Sequence, residues 1–329
     1  MAERHGVLAI SPVIVDANAL ISDVYHLLQT DHSRLIETAE LGSIRLFSPA
    51  AVYSEVYRNL RRLAVGSRSA QLHRAIDLWE AKYLPLIRWC LIDARGPSDA
   101  WSESVVHLAD RPLARLAWAI APCHIWSDNH AHLGGLTGGR NWRVLAKAAD
   151  HAALPDKGAV ALTIPTGLTV EGVGAGVRFL AGRPKIGIPV GIGLGAASLF
   201  GLLYLLSDRG SQVRTRLGTM VQEVVEAVGP HIEAYRRGQD YLRDSRLVRP
   251  DADSIDVVLG HTLAVSPRPL IASELVAAVE YSRGKKLSSR SVSSFLRSSS
   301  IFRRNGRRGW TVGYLARPLA RSKASIGDA

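Results

Sequence analysis

Cysteine is nearly missing from this sequence: Cys90 and Cys123 are the only two in 329 residues. They do not stand at metal-ligand spacing. That argues against a disulfide framework and a structural zinc site, and it fits a reducing compartment. A signal peptide is not expected either. Met1 to Gly6 is polar, and the apolar run after it is broken by Pro12 and Asp16. Acidic residues are scarce at the far end. From Ser266 onward there are 13 Lys or Arg and only 3 Asp or Glu, so +10 of the net +12 falls in the last fifth of the chain. The N-terminal part is close to neutral, and two functions are expected at the two ends. What is present suits a folded protein: 47% hydrophobic and 21% charged residues, in a length that fits two domains. The positive balance predicts a polyanion partner, either nucleic acid or an anionic membrane surface, with a plain soluble basic protein as the alternative.

Along the chain, short apolar strands alternate with helices. Val13–Val15 reads as a buried strand ending at Asp16, with a helix through Val24–Leu28. Ile44–Phe47 reads as a second strand. Ser48-Pro49 predicts a helix start, Ser as N-cap and Pro in the first turn, leading through Glu55 to Leu63 and closed by Gly66. A helix over Gln71–Tyr83, a strand over Leu86–Ile92 and a helix over Ala100–Ala109 follow. Asp110-Arg111-Pro112 opens another helix, and Cys123–Ser127 reads as a strand ending at Asp128. This alternation predicts an α/β domain with a parallel sheet, ending near residue 150.

Residues 151–185 are rich in Gly, Ala and Pro. Ile186 to Leu206 then runs for 21 residues without a charge, between Arg183 and Lys185 on one side and Asp208 and Arg209 on the other. Its length suits a transmembrane helix. A buried helical hairpin is the alternative, because its glycines and Pro189 weaken a helix in water. Gln212–Arg246 has a long polar helical pattern, and Pro250–Pro269 reads as a linker with some order.

Four carboxylates stand at informative places: Asp16 and Asp128 at strand ends, Glu55 two turns into a helix, and Asp110 before a helix. In an open α/β sheet, ligands bind beyond the carboxyl ends of the strands. Acids gathered there supply the hard oxygen ligands that Mg2+ or Mn2+ prefers. Such ions neutralise charge on a phosphoryl transition state and activate water. Each acid also has a plain structural reading: helix cap for Asp110, turn former for Asp16 and Asp128, solvated face for Glu55.

The ordered set resembles a known family. Val-Asp-Ala-Asn-Ala-Leu-Ile-Ser (15–22) is similar to the opening motif of PIN domains, and Ser-Pro-Ala-Ala-Val-Tyr-Ser-Glu-Val (48–56) to their second acidic motif. Asp-Arg-Pro-Leu-Ala-Arg-Leu-Ala (110–117) resembles the third and Ile-Trp-Ser-Asp-Asn (125–129) the fourth. The resemblance covers residues 13 to about 133. It implies an α/β/α sandwich and a Mg2+- or Mn2+-dependent endoribonuclease, with Asp16, Glu55, Asp110 and Asp128 as catalytic metal ligands. Asn18, Ser127 and Asn129 would be supporting groups. Many relatives are toxins with an antitoxin partner, and homodimers are common among them. Relatives often carry Ser or Thr, one residue, then Asp at the fourth motif. Here Ser127 is followed by Asp128 and then Asn129. Either the acid is shifted by one, or Asn129 stands at the acidic position. His124, His130 and His132 lie close by, as loop histidines or as auxiliary metal or phosphate contacts.

Near the C-terminus, a helix from Ser273 to about Tyr281, the basic turn Gly284-Lys285-Lys286 and a helix over Ser288–Leu296 precede Ile301–Val312. That last stretch reads as a hairpin turning at Asn305-Gly306. The order resembles a winged helix-turn-helix. It implies DNA or RNA contacts from Arg290 and Arg297 on the second helix and from Arg303, Arg304, Arg307 and Arg308 on the wing. A basic surface for a protein partner or anionic lipid is the alternative.

The expected organisation is a PIN-like domain over 1–150, a Gly/Ala-rich segment over 151–211 holding the apolar helix 186–206, a helical linker over 212–265, a winged-helix-like basic module over 266–318 and a tail over 319–329. The expected location is cytoplasmic, or membrane-associated with the nuclease domain on the cytoplasmic side. The competing expectation is a membrane-associated regulator whose PIN-like fold has little or no activity.

Overall fold

The structure is a computed structural model. It describes residues 11–62, 69–92, 99–137, 141–152, 233–234, 237–252, 254–284, 286–306 and 309–315. The apolar run 186–206, the tail 319–329, Arg307 and Arg308 lie outside these. Among the described residues, no helix is long and apolar enough to cross a membrane.

Apolar runs bounded by turn signals build the sheet. Its strands are β1 (Ser11–Val15), β2 (Ile44–Pro49), β3 (Ile87–Cys90), β4 (His124–Trp126) and the two-residue β7 (Tyr314–Leu315), in the order β4-β1-β2-β3-β7. β1 to β4 are parallel, and β7 is antiparallel to β3. Val13, Ile14 and Val15 are wholly buried, as expected for a strand covered on both faces. The fold is therefore α/β with a mostly parallel sheet.

Helices fill the crossovers. α1 (Ala17–Thr30) and α2 (Arg34–Glu40) link β1 to β2, and α3 (Ala50–Arg62) and α4 (Ser69–Leu78) link β2 to β3. A π-turn over Trp79–Tyr83 extends α4. α5 (Ala100–Ser104) and α6 (Arg111–Ile120) return the chain to β4, and α7 (Trp142–Ala152) follows. Right-handed crossovers place α1–α4 on one face. The chain then reverses direction across the sheet, which sends α5 and α6 to the other. The packing agrees: α1, α3 and α4 touch one another, while α6 rests on β1, β2 and β4.

Three local expectations differ from the structure. Pro49 ends β2 instead of opening a helix, and the Ser48 hydroxyl donates to the Val15 carbonyl at 2.8 Å, tying β2 to β1. Ala100–Ala109 is a short helix followed by a 3-10 turn at Leu108–Asp110. The stretch read as a linker contains α8 (Ile255–Val265), which packs on α6. Gly260 permits that approach, because a Cβ there would collide with the Ala119 carbonyl.

Beyond α8 come α9 (Ala272–Arg283), α10 (Ser289–Ser298) and a hairpin of β5 (Phe302–Arg304) and β6 (Trp310–Val312). Gly284 ends α9 in the left-handed region, and the Ser288 hydroxyl caps α10 by accepting from Ser291 N. These elements do not form a separate body. The described residues between Ile10 and Ala149 and between Tyr241 and Ala329 cluster as one compact unit. Leu247 bridges to Cys123 at the β4 side of the sheet, and β7 completes the β3 side. Arg45 on β2 donates to the carbonyls of Ala264 and Ser266 at the end of α8.

Candidate active site

The strand order puts the topological switch point between β1 and β4, where crossovers leave to opposite faces. Ligand sites of open α/β sheets form beyond the carboxyl ends of the strands at such a point. Asp16 and Ser127 follow β1 and β4 there, level with each other because Val15 pairs with Trp126.

Asp16 is only 5% exposed. One carboxylate oxygen accepts from Ala17 N and the other from the Ser127 hydroxyl, each at 2.6 Å. Burial pushes its pKa up to about 6, the two hydrogen bonds oppose this, and the charges of Asp110 and Glu55 raise it further. Glu55, on α3, is also raised, first by burial and then by Asp110, while Arg58 one turn along pulls it back. Asp110 holds the N-cap position of α6 but makes no side-chain cap hydrogen bond. Its carboxylate instead lies 3.8 Å from His132 Nδ1. The structure thus brings Asp16, Glu55 and Asp110 within one another's fields.

Asp128 is placed differently. Its carboxylate pairs with Arg143 at 3.2 Å, and Arg143 also reaches Ser22 and lies over the Trp142 ring. The cause is the turn after β4: the Ser127 hydroxyl accepts from Asn129 N at 2.9 Å. Asn129 reaches the cluster through His132, its amide lying against His132 Nδ1. Asn18 is exposed in the first turn of α1.

The histidines divide. His124 is buried in β4 against the Ser245 hydroxyl at 3.1 Å, and His130 meets the Thr137 hydroxyl at 2.8 Å. His132 belongs to the cluster, with the His107 ring 4.0 Å away. Sequence reasoning missed Arg58, His107 and Arg143. The three-residue spacing from Glu55 could have revealed Arg58. Nothing local marks the other two.

The donor set suits a hard dication: the charges of Asp110 and Glu55 raise the pKa of Asp16, and that of Asp110 raises Glu55, with Arg58 offsetting only the last. Among the described residues, however, no three His, Cys, Asp or Glu side chains converge tightly enough to ligate one ion directly. An ion there would have to be held by one or two carboxylates directly and by the rest through water, a mode Mg2+ uses.

Of the basic residues, Arg290 and Arg297 on α10 and Arg303 and Arg304 on β5 are exposed. No acidic residue occurs between Glu280 and Asp328 to neutralise them. Comparisons with protein-family models, with curated proteins and with solved structures return no match.

Proposed function

We propose that this protein is a Mg2+- or Mn2+-dependent endoribonuclease of PIN type, with α8–α10 and the β5–β6 hairpin as a winged-helix-like nucleic-acid-binding module. The supporting observation is the coupled trio Asp16, Glu55 and Asp110 at the switch point, with Asp16 buried and its pKa at about 6. Two acids beside a buried third, all of one sign, are the pattern expected at a functional site.

In this reading Asp16 is the anchoring ligand, fixed by Ser127 and Ala17 N, with Glu55 and Asp110 holding the ion's water shell. The bound ion would lower the pKa of an attacking water and neutralise charge on the phosphoryl group. Asp110 and Glu55 would orient that water, and His132, beside Asp110, would donate a hydrogen bond to a phosphate oxygen. Arg58 offsets the site's negative charge where a polyanion must approach.

The full chain incubated with Mg2+ or Mn2+ and single-stranded or structured RNA should cut internally, and Asp16→Asn should not. A second reading is a PIN-like regulator with weak or no catalysis. It draws on Asn129 reaching the cluster through His132 while Asp128 is occupied by Arg143. That reading stands if neither protein cuts; it falls if wild type cuts and Asp16→Asn does not.

A further inference from the structure

The base of the basic C-terminal hairpin is fastened at the same edge of the main sheet as the acids. The Ser300 hydroxyl, just past α10, donates to the Leu91 carbonyl at 2.8 Å, immediately beyond β3. Gly313 N donates to the Ile301 carbonyl at 3.0 Å, so the base of the β5–β6 hairpin is fastened there too. Gly313 sits so close to the Trp89 carbonyl that no side chain would fit. Pro49 pairs with Cys90 and Val15 with Trp126, so the carboxyl ends of these parallel strands form one rim. With strands about 4.8 Å apart, the hairpin base lies roughly 10 Å from Asp16, two strands along. Arg303 and Arg304 lie a further ~7–10 Å up the hairpin at about 3.3 Å per residue. Arg58 is exposed on α3, which leaves from the intervening strand β2.

We propose that this rim is a single RNA track. The arginines of α10 and the hairpin grip the end of a duplex, and the unpaired strand leaving it passes Arg58 and is cut at the acids at a fixed offset. The inference rests on the nuclease reading above. Two separate elements supply the basic surface, which suits the phosphates of two strands, whereas the buried Asp16 can receive only one. The two lengths together bound the span at about 20 Å, no more than roughly six stacked nucleotides at 3.4 Å each.

The test uses the full chain and RNA stems carrying an unpaired tail. Cleavage is expected at one fixed offset within about six nucleotides of the stem, moving by one nucleotide each time the stem is lengthened by a base pair into the tail. Arg303→Ser combined with Arg304→Ser should scatter the cuts. It should also lower the slope of log Kd against log salt by about 1.4–1.8, the equivalent of two phosphates. Cuts that stay with one sequence wherever the stem ends would overturn the track. A second arm needs no catalysis: in EDTA, a photoreactive uridine in the tail should crosslink to residues 50–62. Crosslinks confined to the C-terminal elements would overturn the track even if RNA is cut. Crosslinking to 50–62 without any cutting would keep the track and sink the nuclease reading. The same junction in DNA, if bound and crosslinked equally, would overturn the choice of RNA.

Discussion

Two buried charges in this molecule are treated in opposite ways. Arg249 has a side chain only 4% exposed, yet it is fully accommodated. It pairs with Asp251 and Asp256, donates to the Trp118 carbonyl at 3.2 Å, and lies 4.1 Å from the centre of the Trp118 ring. Asp16 is as deeply placed, but its charged neighbours are two more acids. The Arg249 cluster locks the C-terminal residues onto α6. The Asp16 cluster is left electrostatically strained, which is the pattern expected where a ligand rather than the fold satisfies a charge.

The contrast is broken most severely at Asp16. Asp16→Asn should lower RNA cleavage by at least about 1,000-fold while raising stability at neutral pH by about 1–3 kcal/mol, since about two pKa units of unfavourable ionisation vanish. Cleavage kinetics and urea denaturation at pH 7.5 check both halves. A less stable Asp16→Asn would mean that the carboxylate is structurally satisfied after all. Arg249→Ala should act in the reverse sense, costing about 1–3 kcal/mol through the lost charge-assisted hydrogen bonds to the part-exposed Asp251 and Asp256 and the bared Trp118 face. Cleavage per folded molecule is the accompanying measurement, and a drop in it would show that the two clusters are coupled.

Acid pH sharpens the comparison. The folded-state pKa of Asp16 is raised from 3.8 to about 6, so its stabilising share is full below 3.8 and is lost as pH rises through 6. His261 on α8 runs the other way. Burial, helped by Arg246, pushes its pKa down to about 4, so its share is present above 6.5 and is lost as pH falls toward 4. The two oppose each other between about pH 6 and 4. In Asp16→Asn the His261 loss should be exposed, with stability falling by on the order of 1–3 kcal/mol from pH 7 to 4.5. His261→Gln should instead gain stability over that range. Equal pH profiles for wild type and both variants would refute the assignment. The smallest effect is expected at Asp128→Asn. It breaks an exposed pair with Arg143, worth about 0–1 kcal/mol, and cleavage should change less than about threefold if Asp128 stands outside the site.

Patterns carried by a single segment were legible in the sequence. The runs before Asp16 and Ser127 gave β1 and β4 nearly to the residue, and Ser288 and Gly284 marked real helix boundaries. Asp110 was harder, because a helix-starting Asp before Arg-Pro looks like a cap. Only coordinates reveal that its carboxylate bonds no helix amide. The choice between Asp128 and Asn129 depended on one turn bond, from Asn129 N to the Ser127 hydroxyl, which leaves no mark in composition. α8 escaped notice because it is apolar around much of its circumference and carries Gly260 at its centre. Its partner α6 is more than a hundred residues away. The two-residue β7 has no periodicity to detect.

The sheet's two borders are both finished by chain made late. Leu247 covers one side beside Cys123, and Tyr314–Leu315 covers the other beside β3. At roughly 5–20 residues per second, a ribosome needs about 10–40 s to travel from β4 to β7. For that interval β3 presents unpaired amides and carbonyls to any neighbouring strand. A fragment stopped near residue 150 would carry both openings permanently and should self-associate.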